Sequence, residues 1–280
     1  RQYDSMYFSP GHREKPACSL EDVAVEFRKY GQNRGYGENG RKHSRQWMKK
    51  MTENASLDAY PDRGYPAITI RPTALRALPT QRPHFSTFNR GGRGYPFDNL
   101  QVSAVTVNTP VYIAHVTRDR AWVFAEAGVY FGWVPAGDVA LVDDGFMRSW
   151  ESGRYAVVIR DKTPLYDARG RFLFRAPLGA IFPKVRDGEG GLDILAAVSN
   201  ENRTAILKDV SVSRSSAAPK PLGMTAENMA AIANELVNEP YGWGGLHGNR
   251  DCSAMVRDLF APFGIWLPRW KCSSLKQSCM

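Results

Sequence analysis

Nothing in this chain of 280 residues is long and apolar enough to span a bilayer, since no run approaches the ~20 residues a membrane helix needs. It also opens without an initiator Met or an apolar leader. RQYDSMYFSP is polar, so a start at Arg1 reads as a processed form, an expression product or a fragment. Cysteine is scarce. Cys18, Cys252, Cys272 and Cys279 are too few and too irregularly spaced for a disulfide framework, and none falls in a Cys-x-x-Cys or Cys/His zinc pattern. Neither a structural metal nor a cofactor is expected. Histidine is sparse too: His12, His43, His84, His115 and His247 all precede Cys252, and none follows it.

What is present is ordinary in bulk and uneven in placement. Hydrophobic content of 43% and charged content of 23% suit a globular protein of two or three domains. Eighteen prolines and 25 glycines argue for many short strands and turns and against a helical bundle. The net charge of +9 is densest in RKHSRQWMKK (Arg41 to Lys50) and forms no continuous stripe. It reads as a solvated helical face, and nucleic acid is not an expected partner.

Residues 1–70 are polar and basic. Ser19 caps a helix in SLEDVAVEFRKYG that ends at Gly31, although Val23, Val25 and Phe27 fit helical spacing poorly. Arg41 to Asn54 forms a second helix, and PDRGYPAITIRPT reads as an extended connector. From 71 to 145 the chain turns to short apolar runs separated by Asn108-Thr-Pro and Arg118-Asp-Arg turns. Trp122 and the GWV around Trp133 give this segment the look of a bacterial SH3 domain. Residues 146–212 repeat the rhythm, with Asp167 to Gly170 as a hairpin connection, and read as a second barrel of the same kind. Residues 213–223, SRSSAAPKPLG, have linker composition. Within 224–280, Thr225 caps a helix over AENMAAIANELVNE. Met224 and Met229 form a staple, and Met229, Ile232, Ala233, Leu236 and Val237 share an apolar face.

The chemistry concentrates in YGWGGLHGNRDCSAMVRDLF. Four glycines make a loop whose backbone can approach a ligand closely. Asp251 is suited to cap a helix with Cys252 in its first turn, and Met255, Val256, Leu259 and Phe260 supply that helix's buried side. Unpaired N–H groups and the positive end of the helix dipole favour thiolate there, and the same N–H groups suit an oxyanion.

The string YGWGG…DCSAMVRDLF, between a capped helix and an amphipathic one and behind two SH3-like modules, resembles the NlpC/P60 family of cysteine peptidases. The resemblance covers roughly 71–269 and is sharpest over 240–269. It implies a multidomain, mostly β architecture of two SH3-like barrels, followed by a partial α+β papain-like domain, with a short helical N-terminal region. It also implies a γ-D-glutamyl-L-diamino acid endopeptidase acting on murein peptides with a free N-terminal L-Ala, in the periplasm or cell envelope. Residue by residue, Cys252 would be the nucleophile and Tyr241 a donor to the oxyanion. Asp251 and Ser253 would hold the free amine and the D-Glu carboxylate, Trp243 would wall the pocket, and Tyr130 would reach in from the first barrel. A structural alternative stands beside each: a cap for Asp251, packing for Trp243, a barrel aromatic for Tyr130.

The pattern breaks downstream. Family enzymes carry their catalytic His well after the Cys, whereas here WKCSSLKQSCM turns basic and Ser-rich. The expectation is a chain cut short inside the peptidase domain, with 224–280 poorly packed or in need of a partner segment. His247 reads as loop decoration or a substrate contact. The competing function is a non-catalytic peptidoglycan-binding protein with a vestigial peptidase remnant.

Overall fold

A computed structural model describes residues 2–128 and 130–267. The N-terminal region holds three helices, α1 (Gln2–Phe8), α2 (Leu20–Gln32) and α3 (Arg45–Ala55). Ser19 closes a capping box, accepting from the Asp22 N–H while the Asp22 carboxylate accepts from the Ser19 N–H. α2 buries Val23, Glu26, Phe27 and Tyr30, a true i, i+3, i+4, i+7 stripe, and leaves Val25 exposed. Counting valines misplaced that face. α3 starts at Ser44, whose hydroxyl accepts from the Trp47 N–H at 3.0 Å, so 41–44 precede the helix rather than belong to it.

The first barrel comprises β1 (Tyr65–Thr69), β2 (Thr73–Arg76), β3 (Gln101–Val105), β4 (Pro110–Val116), β5 (Trp122–Ala127), β6 (Tyr130–Pro135) and β7 (Val139–Leu141). They hydrogen-bond in the order β3-β2-β6-β5-β4-β1-β7. The stretch expected to be a connector is thus β1, paired with both β4 and β7. Five extended residues acquire strand identity only from partners more than forty positions away, which no local pattern reveals. Val23, Phe27, Tyr30, Met48 and Met51 pack with Leu78, Leu100, Phe124 and the fully buried Trp133, joining helices to barrel. The buried Glu126 carboxylate fastens this union: it accepts from the Ala17 N–H at 3.0 Å, the Cys18 N–H at 2.9 Å and the Arg13 guanidinium.

The same interface contains two buried imidazoles. His84 donates through Nε2 to the Asn33 carbonyl at 2.6 Å and accepts at Nδ1 from the Asn99 amide at 3.1 Å, an arrangement that suits the neutral ring. His43 meets the Pro83 carbonyl at 2.9 Å and stacks on Trp47 at 4.1 Å. Burial lowers both pKa values below the usual 6.5. The unfolded chain therefore takes up protons at a higher pH than the folded one, and stability is full above about 6.5 and falls as pH drops below it. We expect urea midpoints to decline between pH 7.5 and 5, and His84→Gln to flatten that decline. An equal slope in the variant would exclude His84 as a source.

After α4 (Asp144–Trp150) come β8 (Tyr155–Val158), β9 (Thr163–Tyr166), β10 (Phe172–Ala176), β11 (Ile181–Asp187), β12 (Gly191–Ser199), β13 (Ala205–Ser213) and β14 (Ala217–Pro219). β13-β12-β11-β8-β14 form one sheet, and β9 with β10 forms a separate ribbon. Residues read as a linker supply β14, paired with β8. Their Ser and Pro content signalled an irregular chain, yet Lys220 is buried against Asp4 and over the Tyr3 ring at 4.2 Å, tying α1 down.

α5 (Ala226–Asn234) starts at the Thr225 cap but stops before Leu236, and Asn238 turns at φ 65°. Ile232 is buried with Leu178 and Phe263, and Met229 and Leu236 pack against them. Val237 and Met224 are exposed, so the expected staple does not close. α6 (Cys252–Phe260) follows. The segment up to residue 267 is thus packed through one face of each helix.

Candidate active site

The loop before α6 folds back on itself. Tyr241 and Arg250 form a bridge, and the Gly242 N–H donates to the Arg250 carbonyl at 2.9 Å. Between them the loop lies flat on β3. Gly244 and Gly245 sit at φ 59° and 90°, and a Cβ on Gly245 would stand 2.2 Å from Ala104 Cβ. Only glycine satisfies both the dihedral and the close approach. Gln101 Nε2 donates to the Gly244 carbonyl at 2.9 Å, and Trp243 Nε1 donates to the Asp98 carbonyl at 2.9 Å while its ring meets Phe97. Trp243 therefore anchors the loop to the first barrel.

Asp251 caps α6. Its carboxylate accepts from the Ala254 N–H at 2.8 Å, the Ser253 hydroxyl at 2.9 Å and the Gly244 N–H at 3.2 Å. Cap, loop and helix start become one unit, with Cys252 exposed at the first helical position. Tyr241, 54% exposed, sits at the loop's other end.

α6 buries a face other than the expected one. Ala254, Asp258 and the following Ala261 are buried, while Met255 and Val256 are 45% and 42% exposed. At 100° per residue, Val256 and Leu259 share the Cys252 side and the buried residues lie opposite. Small and ion-paired side chains fit against the tight barrel contacts. Met255 and Val256 are left outward, while Leu259 packs with Leu178, Ile232 and Phe263. Native labelling with iodoacetamide is therefore expected to modify Cys252 about tenfold or more faster than the buried Cys18, read by peptide mass mapping.

Sequence reasoning missed Arg250. This side chain is buried and donates to Glu239 Oε2 at 2.6 Å, Asp161 Oδ1 at 2.7 Å and Asp258 Oδ2 at 2.8 Å. It joins the end of the α5 segment, the second barrel and α6 immediately before the cap. Burial pushes Asp161 up, but hydrogen bonds and charge from Arg250 bring it below the usual carboxylate range. A lone Arg beside Asp251 offered no signal, because its partner Asp161 lies 89 residues away.

Two cavities flank α6. A groove of about 870 Å³ runs between the barrels beneath the loop, lined by Arg76, Gln101, Lys162, Arg175, His247, Ala254 and Arg257 among others. A smaller cavity of about 80 Å³ is lined by Tyr130, Tyr3, Arg257 and Asp258. The structure thus brings Cys252, Asp251, Ser253, Trp243 and Tyr241 together in one unit. It sets Tyr130 over a cavity that Cys252 does not line. His12 pairs with Glu151, and the imidazoles of His43, His84 and His115 are bound in the N-terminal and barrel regions. His247 is exposed in the loop at φ 60°. Cys272 and Cys279 lie outside the described residues. Among the described residues no group of three or more His, Cys, Asp or Glu is placed to hold a metal, and no helix is long and apolar enough to cross a membrane.

Four family descriptions match the chain in order. They are the NLPC_P60 stabilising domain, N term, over 1–60; an SH3 domain of SH3b1 type over 83–135; an SH3 domain of SH3b2 type over 143–188; and the NlpC/P60 family over 238–278. Among solved structures, an NlpC/P60 endopeptidase from Photobacterium damselae subsp. piscicida is similar at 28% identity and a TM-score of 0.84, over 96% of this chain and 62% of that one. The chain thus spans less than two thirds of that relative's length. An NlpC/P60 family protein from Bacillus cereus aligns at 16% identity and a TM-score of 0.47, over 61% of this chain and 58% of that one. No match was found among curated proteins.

Proposed function

We propose that this chain, whose residues 238–278 match the NlpC/P60 family behind two SH3b-type matches, is a cysteine peptidase of that family and serves cell-wall peptide hydrolysis with Cys252 as nucleophile. The substrate would be a murein peptide with a free N-terminal L-Ala, cut at the γ-D-glutamyl bond to the diamino acid, in the cell envelope. The observation that carries this reading is the exposed thiol at a capped helix start, locked to a glycine loop.

In the proposed step the Cys252 sulfur attacks the γ-glutamyl carbonyl carbon as thiolate. The carbonyl oxygen takes up the negative charge, facing the α6 N–H groups and the Tyr241 hydroxyl. Collapse breaks the C–N bond, the amine leaves with a proton, and water hydrolyses the thioester to restore the thiol. In this reading the Asp251 carboxylate, which also accepts from Gly244, Ser253 and Ala254, holds the substrate ammonium. Ser253 stands beside it for the D-Glu carboxylate.

The test is incubation of the chain with L-Ala-γ-D-Glu-diaminopimelate. Release of diaminopimelate that Cys252→Ala abolishes is the expected result, and release that survives the substitution would overturn the nucleophile. One observation favours a second reading, a non-catalytic wall-binding protein: two SH3b-type matches occupy residues 83–135 and 143–188. Binding to murein sacculi without any release would select that reading.

A further inference from the structure

The hydrogen bonds beneath the nucleophile loop continue into the first barrel as a buried chain. Arg76 on β2 stands opposite Gln101 on β3. The register slips by one beside this pair, with Val102 as the extra residue, and a bulge of this kind re-aims a side chain. Arg76, Asp98 and Gln101 are all buried. Every nitrogen of the Arg76 side chain is committed. Nε donates to the Thr80 carbonyl at 3.0 Å and one terminal nitrogen to the Arg82 carbonyl at 3.1 Å. The other terminal nitrogen donates to Asp98 Oδ2 at 2.6 Å and to Gln101 Oε1 at 2.9 Å. Asp98 is held in turn, its Oδ1 accepting from the His84 and Leu100 N–H groups at 2.9 Å each.

This arrangement decides which way the Gln101 amide points. Arg76 offers only N–H groups, so the amide oxygen faces it and the amide nitrogen faces the Gly244 carbonyl, 2.9 Å away. Gly244 sits at φ 59° and has no side chain, so its own preferences do little to fix its peptide groups. Two hydrogen bonds fix them instead: Gln101 donates to its carbonyl, and its N–H donates to the Asp251 carboxylate at 3.2 Å. Asp251 in turn caps α6 at the Ala254 N–H, where Cys252 opens the helix. The Asp98 carbonyl accepts from Trp243 Nε1 at 2.9 Å and from the Gln101 N–H at 3.2 Å, so strand and loop share one acceptor. A buried ion pair is often no more stabilising than apolar residues of the same volume, so stability alone does not account for Arg76 and Asp98.

We propose that Gln101, oriented by Arg76, is a positioning residue for Cys252: it clamps Gly244 onto β3 and, through Asp251, fixes the start of α6 in the orientation from which the thiol meets the substrate carbonyl. The proposal rests on the reading of Cys252 as nucleophile. Gln101 acts through the Gly244 peptide and not on the substrate itself.

The test uses the full chain and an affinity label, the chloromethyl ketone of L-Ala-γ-D-Glu, with iodoacetamide as a reagent that needs no alignment. Gln101→Glu keeps an acceptor for Arg76 and turns an oxygen toward the Gly244 carbonyl in place of an N–H. Gln101→Met keeps the volume and loses both hydrogen bonds. In both, the limiting rate of Cys252 labelling by the ketone is expected to fall about tenfold or more. The half-saturating concentration is expected to stay within about twofold, because binding is kept while alignment is lost. Iodoacetamide is expected to react at least as fast as with the wild-type chain, and hydrogen exchange at the Gly244 amide to speed up. A limiting rate that stays at the wild-type value, or a fall shared equally by both reagents, overturns the proposal alone. Loss of the fold in both variants also overturns it, because the role of Gln101 is then structural. Wild-type labelling that does not saturate overturns the nucleophile reading, and the proposal with it.

Discussion

Arg250→Met is expected to lower stability by about 3–5 kcal/mol and to release the segment from Glu239 to Phe260 from the barrels. Removing the guanidinium leaves three carboxylates, on Asp161, Glu239 and Asp258, each about one-tenth exposed, without their shared counter-charge. Asp258 keeps Arg257 and Asp161 keeps the Leu178 N–H, so the loss falls mainly on the links between elements. Arg250→Lys is expected to recover only part of it. Three acceptors are held by different nitrogens of one planar fork, and a single ammonium cannot reach them all. Limited proteolysis and thermal unfolding read the effect. An Arg250→Met variant that stays protease-resistant around the loop would show that the glycine contacts suffice. The linkage has a sign: Asp161 is depressed, so its contribution is complete above its ordinary value of 3.8 and is lost as pH falls through and below that value.

The second large effect is expected from Gly245→Ala, at roughly 3 kcal/mol, combining left-handed strain with overpacking. The added carbon would meet Ala104 Cβ at 2.2 Å on the rigid β3, and no flexible side-chain end is there to yield. The loop then lifts from the barrel and takes with it the Asp251 contact to Gly244. Hydrogen exchange at the Gly244 amide and the rate of Cys252 alkylation should both rise. The double variant Gly245→Ala/Ala104→Gly is expected to restore part of the loss by removing the facing methyl. No recovery would assign the cost to the dihedral alone.

Local chemistry was legible in the sequence. Ser19, Thr225 and Asp251 cap the helices they were expected to cap, because a cap needs only one side chain and N–H groups two or three residues on. The DC step and the glycine loop announced the candidate site, and Asn108, Arg120 and Gly170 take the left-handed turns that the strand breaks implied. Illegible features were those whose cause lies elsewhere in the chain. β1 and β14 are strands by virtue of β4, β7 and β8. Arg250 becomes a hub only once Asp161 is brought to it. The outward turn of Met255 and Val256 was missed because their apolarity predicts burial, whereas the barrel contact selects the smaller Ala254 and the paired Asp258.

We propose Cys252 as a nucleophile presented to an acidic wall peptide. An electrophilic analogue, L-Ala-γ-D-Glu carrying a chloromethyl ketone in place of the scissile amide, tests it without requiring turnover. Labelling of Cys252 is expected to saturate with analogue concentration, to outpace labelling by simple chloroacetamide and to be suppressed by excess L-Ala-γ-D-Glu. Labelling that is linear in concentration, indifferent to the competitor and shared with other thiols would contradict it.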